Sequence, residues 1–74
     1  MQLIKKSYGY NDYKISNEIV TICKCLNPAI YVNTGYYIGL NSTVSFSEEE
    51  YKRGFNTLAG IKSYIKKSLH QRGL

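Results

Sequence analysis

The strongest constraint on this chain is Ser47-Glu48-Glu49-Glu50, which has the form of a capping box. In that motif the serine hydroxyl accepts from the backbone N–H three residues on, and the glutamate there reaches back to the serine N–H. Phe46 and Tyr51, on either side, are placed as a hydrophobic staple. A helix is predicted to begin here. Tyr51, Phe55, Leu58, Ile61, Ile65 and Leu69 follow at helical spacing, and a stripe of that kind has to bury itself against another element. Lys62 disturbs this pattern, because one continuous helix would place it within the stripe. Gly54 and Gly60 would each cost about 1 kcal/mol in a helix interior. Two arrangements therefore fit: one long helix, or a break near Gly54 with a second helix from Asn56 or Thr57. The second moves Lys62 to the flank of an apolar set made by Leu58, Ile61, Ile65 and Leu69, with Tyr64 beside it.

The element that such helices cover is written in the first 46 residues. Leu3 to Ser7 fits a short strand, and Tyr8-Gly9-Tyr10-Asn11-Asp12 has the composition of a turn. Ile19-Val20-Thr21-Ile22-Cys23-Lys24-Cys25-Leu26 is rich in β-branched residues and ends at Asn27-Pro28, which favours a largely buried strand. A helix capped by Ser16 is the alternative, since Ile15, Ile19, Ile22, Cys23 and Leu26 also fall at helical spacing. Ile30-Tyr31-Val32 and Tyr36-Tyr37-Ile38-Gly39-Leu40 flank Asn33-Thr34-Gly35, the pattern of a hairpin with glycine at a left-handed position. Thr43-Val44-Ser45-Phe46 alternates as a further short strand would. Alternation puts Tyr36, Ile38, Leu40, Val44 and Phe46 on a core face and Tyr37, Thr43 and Ser45 on the other. The predicted fold class is α+β. It is a single domain over residues 1–74, a small antiparallel β-meander of three to four strands covered on one face by a C-terminal amphipathic helix or two short helices.

A chain of 74 residues is near the lower size for a self-sufficient core, and 43% hydrophobic with 20% charged residues lies in the globular range. No run approaches the ~18 apolar residues that a membrane span needs, and Met1-Gln2-Leu3-Ile4-Lys5-Lys6 lacks the apolar region of a secretory signal. A cytoplasmic location is the expectation. Cys23 and Cys25, the two cysteines, would share one face of a strand but lie too far apart along it for a relaxed disulfide, and they read as reduced and buried. Only His70 and scattered carboxylates are available to complete a metal site, so no metal or other cofactor is expected.

Catalytic constellations are not visible. His70 has basic neighbours and no carboxylate close in sequence, Asp12 and Glu18 stand alone, and capping accounts for Glu48, Glu49 and Glu50. The glycines form neither of the phosphate-binding loop patterns. A non-enzymatic role is expected.

Charge and tyrosine supply the functional hints. Residues 51 to 74 carry six basic side chains and no acid, while residues 1 to 50 carry four lysines against five acids, so the whole net charge of +5 comes from the C-terminal third. Lys52, Arg53, Lys62, Lys66, Lys67 and Arg72 are candidate phosphate contacts. Eight tyrosines and no tryptophan are present. Tyr31 and Tyr37, if they face away from the core, are candidates for stacking on unpaired bases, while Tyr8, Tyr10 and Tyr13 cluster in an early loop. Lys52-Arg53-Gly54-Phe55 opens like the RNP1 motif of RRM domains, but Asn56 and Thr57 depart from it. A helix-turn-helix around Gly54 would put Glu50 and Arg53 at packing positions, which is unfavourable. In small size and richness in Lys, Ile, Asn and Tyr the chain resembles accessory proteins of AT-rich phages and mobile elements.

Nucleic-acid binding through the basic C-terminal helix is therefore the first expectation. The second is inhibition of a host protein or defence complex, with Tyr8, Tyr10, Tyr13, Tyr31 and Tyr37 as anchors. A membrane-surface role is disfavoured because the apolar stripe is needed over the sheet, and the same stripe would serve as a seam in a homodimer.

Overall fold

Two tight hairpins organise the first third of the chain. In a computed structural model that describes residues 1–24 and 35–73, β1 (Gln2–Ser7), β2 (Tyr10–Ile15) and β3 (Glu18–Lys24) pair antiparallel in sequence order. The first turn is Tyr8-Gly9, closed by the Ser7–Tyr10 pair, with Gly9 at φ 85°. The second is Ser16-Asn17, closed by the Ile15–Glu18 pair, with Ser16 in the left-handed region at φ 52°. The expected loop over Tyr8 to Asp12 is thus only two residues long, and Tyr10, Asn11 and Asp12 belong to a strand. Asn11 and Asp12 are turn formers by composition, but cross-strand pairing with Ile22 and Thr21 holds them extended. Residues 19–24 are strand rather than helix, as β-branching favours.

β4 (Tyr36–Ile38) lies antiparallel beside β3, with Ile22 opposite Ile38 and Cys23 opposite Tyr37. The first strand of the expected hairpin, Ile30 to Val32, lies outside the described residues, as do Cys25 and Tyr31. Beyond β4 the expected strand at Thr43 to Phe46 does not form. Irregular backbone and one serine side chain take over the edge of β3 instead: the Gly39 N–H donates to Thr21 O, the Thr43 N–H to Ile19 O, and the Ser42 Oγ accepts from the Thr21 N–H at 3.0 Å. Ser42 Oγ also donates to Gly39 O at 2.8 Å, which folds Leu40 and Asn41 outward. Leu40, expected in the core, is consequently 79% exposed, while Val44 and Phe46 are buried as expected. The far edge of β4 is closed by a bridge in which Tyr36 and Phe55 exchange two backbone hydrogen bonds of 2.8 Å. Gly35 lies beneath that bridge at φ 129°, where a Cβ would overlap the Phe55 carbonyl.

The helix breaks where Gly54 and Lys62 require. α1 (Glu48–Lys52) is capped by Ser47, whose Oγ accepts from the Glu50 N–H at 3.2 Å while Glu50 Oε1 accepts from the Ser47 N–H at 2.9 Å. The staple forms as an edge-to-face pair, with the Phe46 and Tyr51 ring centroids 5.8 Å apart. α2 (Leu58–Gln71) starts from Thr57, whose Oγ1 accepts from the Gly60 N–H at 3.0 Å. Ile61, Ile65 and Leu69 of α2 are fully buried against one face of the sheet. That face contributes Tyr13, Val20, Ile22 and Ile38 to the core, and Phe46 and Phe55 close its margin. Burying each large aliphatic side chain contributes about 1.5–3 kcal/mol, so this face anchors the fold. No helix of the described residues is long and apolar enough to cross a membrane.

Candidate functional site

The alternation that sends Tyr13, Val20, Ile22 and Ile38 inward sends Tyr10, Asp12, Lys14, Thr21, Cys23, Tyr37 and Gly39 to the opposite face. α2 lies on the other side of the sheet, so this face is not covered by it. Pairing sets Tyr10 opposite Cys23, and Cys23 opposite Tyr37. The two tyrosines therefore flank the cysteine in one row running across β2, β3 and β4. A cleft of about 530 Å³ opens on this row, lined by Tyr10, Thr21, Cys23, Tyr37, Gly39 and Leu40 and bounded by Asn41, Tyr51 and Lys52.

The floor of the cleft is apolar for identifiable reasons. Thr21 is buried and its hydroxyl donates to Asp12 Oδ1 at 2.6 Å, which leaves the methyl group against Gly39. A Cβ at Gly39 would come 2.9 Å from Thr21 Cγ2 and 3.0 Å from Cys23 Sγ, so glycine is what this close approach allows. Burial pushes the Cys23 thiol up, the Tyr37 hydroxyl opposes that shift, and the nearby Asp12 charge adds to it. The thiol is therefore neutral at pH 7 and serves as a small apolar surface. Cys23 is half-buried rather than buried.

Lysines surround the row. Lys5 Nζ lies 5.9 Å from the Tyr10 ring centroid, and Lys14 is exposed on the same face. Lys52 reaches the cleft from α1. Its pairing with Glu48 at 2.8 Å joins two highly exposed side chains and contributes little, so the ammonium can exchange that partner for another anion.

The six basic residues singled out in the sequence do not share a face. Lys52 belongs with Tyr37 at the cleft, whereas Lys66 and Lys67 point outward from α2 on the far side of the sheet, with no ion pair among the described residues. The other three hold the fold together. Lys62 Nζ stacks 4.5 Å from the Tyr13 ring centroid, and Arg53 sits 4.9 Å from the centroids of both Phe55 and Tyr64. Arg72 lies over Phe46, donates to Ser45 O and pairs with Glu50 Oε1 at 3.0 Å. Tyr31 lies outside the described residues.

Glu50 is the centre of a second polar cluster. Beyond its capping role, its Oε2 accepts from Tyr64 Oη at 3.0 Å and from Ser68 Oγ at 3.2 Å, joining α1 to α2. The Ser47 N–H holds this carboxyl below the usual glutamate range against the opposing effect of burial, and the Tyr64 and Ser68 hydroxyls reinforce it. Burial and then the Glu50 partner push Tyr64 up, which keeps the phenol a donor. Every bonding capacity of this carboxylate is directed at the protein's own groups, so it is a structural joint.

Sequence reading singled out Tyr37 and Lys52 but placed Tyr10 in a loop and passed over Lys5, Lys14 and Asn41. The signal for them was the alternation Tyr10, Asp12, Lys14 against Asn11, Tyr13, Ile15, which becomes readable once the turn is shortened to Tyr8-Gly9. Comparison with protein-family models, curated proteins and solved structures returned no significant match for this chain.

Proposed function

We propose that this is a non-enzymatic nucleic-acid-binding domain that engages a single strand on the face of its sheet turned away from α2. The observation that carries this reading is the Tyr10–Cys23–Tyr37 row on the face turned away from α2, with Lys5, Lys14 and Lys52 around it. Aromatic rings on a sheet accept the π-face of any base, and lysines at the margin track the backbone. Lys66 and Lys67 then contribute to the long-range field rather than to contacts.

Fluorescence anisotropy with a labelled single-stranded oligonucleotide at about 50 mM salt tests this. Three neutralised phosphates predict that log K falls with log[salt] at a slope of about −2. Tyr10→Ala and Tyr37→Ala are each expected to weaken binding by about 1–3 kcal/mol, roughly five- to 150-fold. Lys66→Glu combined with Lys67→Glu is expected to cost less than Lys52→Glu alone. No binding at low salt would defeat the proposal, as would tyrosine variants that bind normally while the α2 charge reversals do not.

A second reading, inhibition of a host protein, is favoured by the apolar side chains that project from this surface. Leu40 is 79% exposed at the rim of the cleft and Tyr8 is 90% exposed at the first turn. An exposed tyrosine is a typical interface anchor, and Leu40 adds apolar area beside the cleft. Purification from nuclease-treated host lysate separates the two readings: a stoichiometric protein retained by the native chain and lost with Leu40→Asp would displace the nucleic-acid proposal.

A further inference from the structure

We propose that the cleft between β2 and β4 is a pocket for one unstacked nucleobase, held between the rings of Tyr10 and Tyr37 with its adjoining phosphate at Lys52; this deepens the single-strand reading and rests on it. Tyr10 and Tyr37 are two interstrand steps apart, about 9.6 Å. This is the separation of the strands that carry them, and it leaves room above Cys23 for one planar group of about 3.5–4 Å contact thickness beside the two side chains. The volume, about 530 Å³, lies within the range of small-ligand sites.

The distribution of polarity selects the kind of occupant. The Thr21 methyl, the neutral Cys23 thiol and Gly39 make an apolar surface beneath the row, and Asn41 and Lys52 add polar groups to the lining. Asn41 is exposed and its amide makes no hydrogen bond among the described residues, leaving a donor and an acceptor for a base edge. Lys52 supplies one weakly engaged cation at the cleft. An aliphatic side chain from a protein would fill the floor but leave Asn41 and Lys52 without a role. A base with a phosphate beside it uses all three parts.

Cys23 is the built-in reporter, since it forms the floor between the two rings. With Cys25→Ser as background, alkylation of Cys23 at mildly alkaline pH is followed by mass spectrometry in the presence of a single-stranded oligonucleotide. The comparison is an oligonucleotide of equal length and charge in which abasic spacers replace the bases. The base-bearing strand is expected to slow Cys23 labelling at least tenfold and the abasic strand to leave it nearly unchanged, with Asn41→Ala reducing the difference between bases. If both strands bind and neither protects Cys23, the base pocket is refuted while single-strand binding stands. If neither binds, both proposals fall. If Cys23 is protected instead by a co-purified protein on nuclease-treated material, the pocket belongs to a protein contact.

Discussion

Glu50 shows how much one side chain contributes in a molecule of this size. Its carboxylate completes the α1 cap, accepts from Tyr64 and Ser68 of α2, and pairs with Arg72. Glu50→Ala is expected to destabilise the fold by about 1–3 kcal/mol, since donors that met a carboxylate must find water; urea denaturation measures it. Glu50→Gln isolates the charge. Because the folded carboxyl titrates below its unfolded value, its stabilisation is fully present above about pH 4.3 and is lost as pH falls through the lowered folded value. The urea midpoints of the native chain and Glu50→Gln should therefore differ at neutral pH and converge on acidification. A gap that stays constant down to pH ~3 would assign the effect to shape rather than charge.

At the scale of elements, the helices were the legible part and the strands only partly so. The capping box and the staple are local chemistry, each set by residues within five positions of one another, and the break near Gly54 is one of the two arrangements that the sequence allowed. Thr57 as the start of α2 follows the same logic, and Thr57→Ala is expected to cost about 1 kcal/mol by leaving the Gly60 N–H without its acceptor. Circular dichroism during thermal unfolding would register it, and an unchanged midpoint would show that tertiary packing alone fixes this end. β2 was obscured because Asn11 and Asp12 favour turns when read alone, and only pairing with β3 makes them strand. The replacement of a strand at Thr43 to Phe46 was beyond local reading for a related reason: Ser42 and Thr43 meet β3 residues more than twenty positions away. The candidate site was half legible for the same cause. Tyr37 and Lys52 stood out by type, but their association with Tyr10 is a property of register.

For the molecule as a whole, register also divides the net charge of +5 between two sides. Lys52 joins the tyrosine row, while Lys66 and Lys67 stand behind α2. Backbone NMR shifts on titration with a single-stranded oligonucleotide should accordingly cluster at Tyr10, Cys23, Tyr37 and Leu40. Shifts confined to Lys66, Lys67 and His70 would move the binding face to the helix.

β1 has a further consequence, one of order in time rather than of geometry. Among the described residues it pairs with β2 alone, it is exposed along nearly its whole length, and none of its residues belongs to the buried core. Such a strand opens at a small fraction of the global unfolding free energy. Its amide hydrogens should exchange well before those of β3 and α2, and each opening would carry Lys5 away from Tyr10. The rim of the cleft would then be remade many times within the lifetime of its floor.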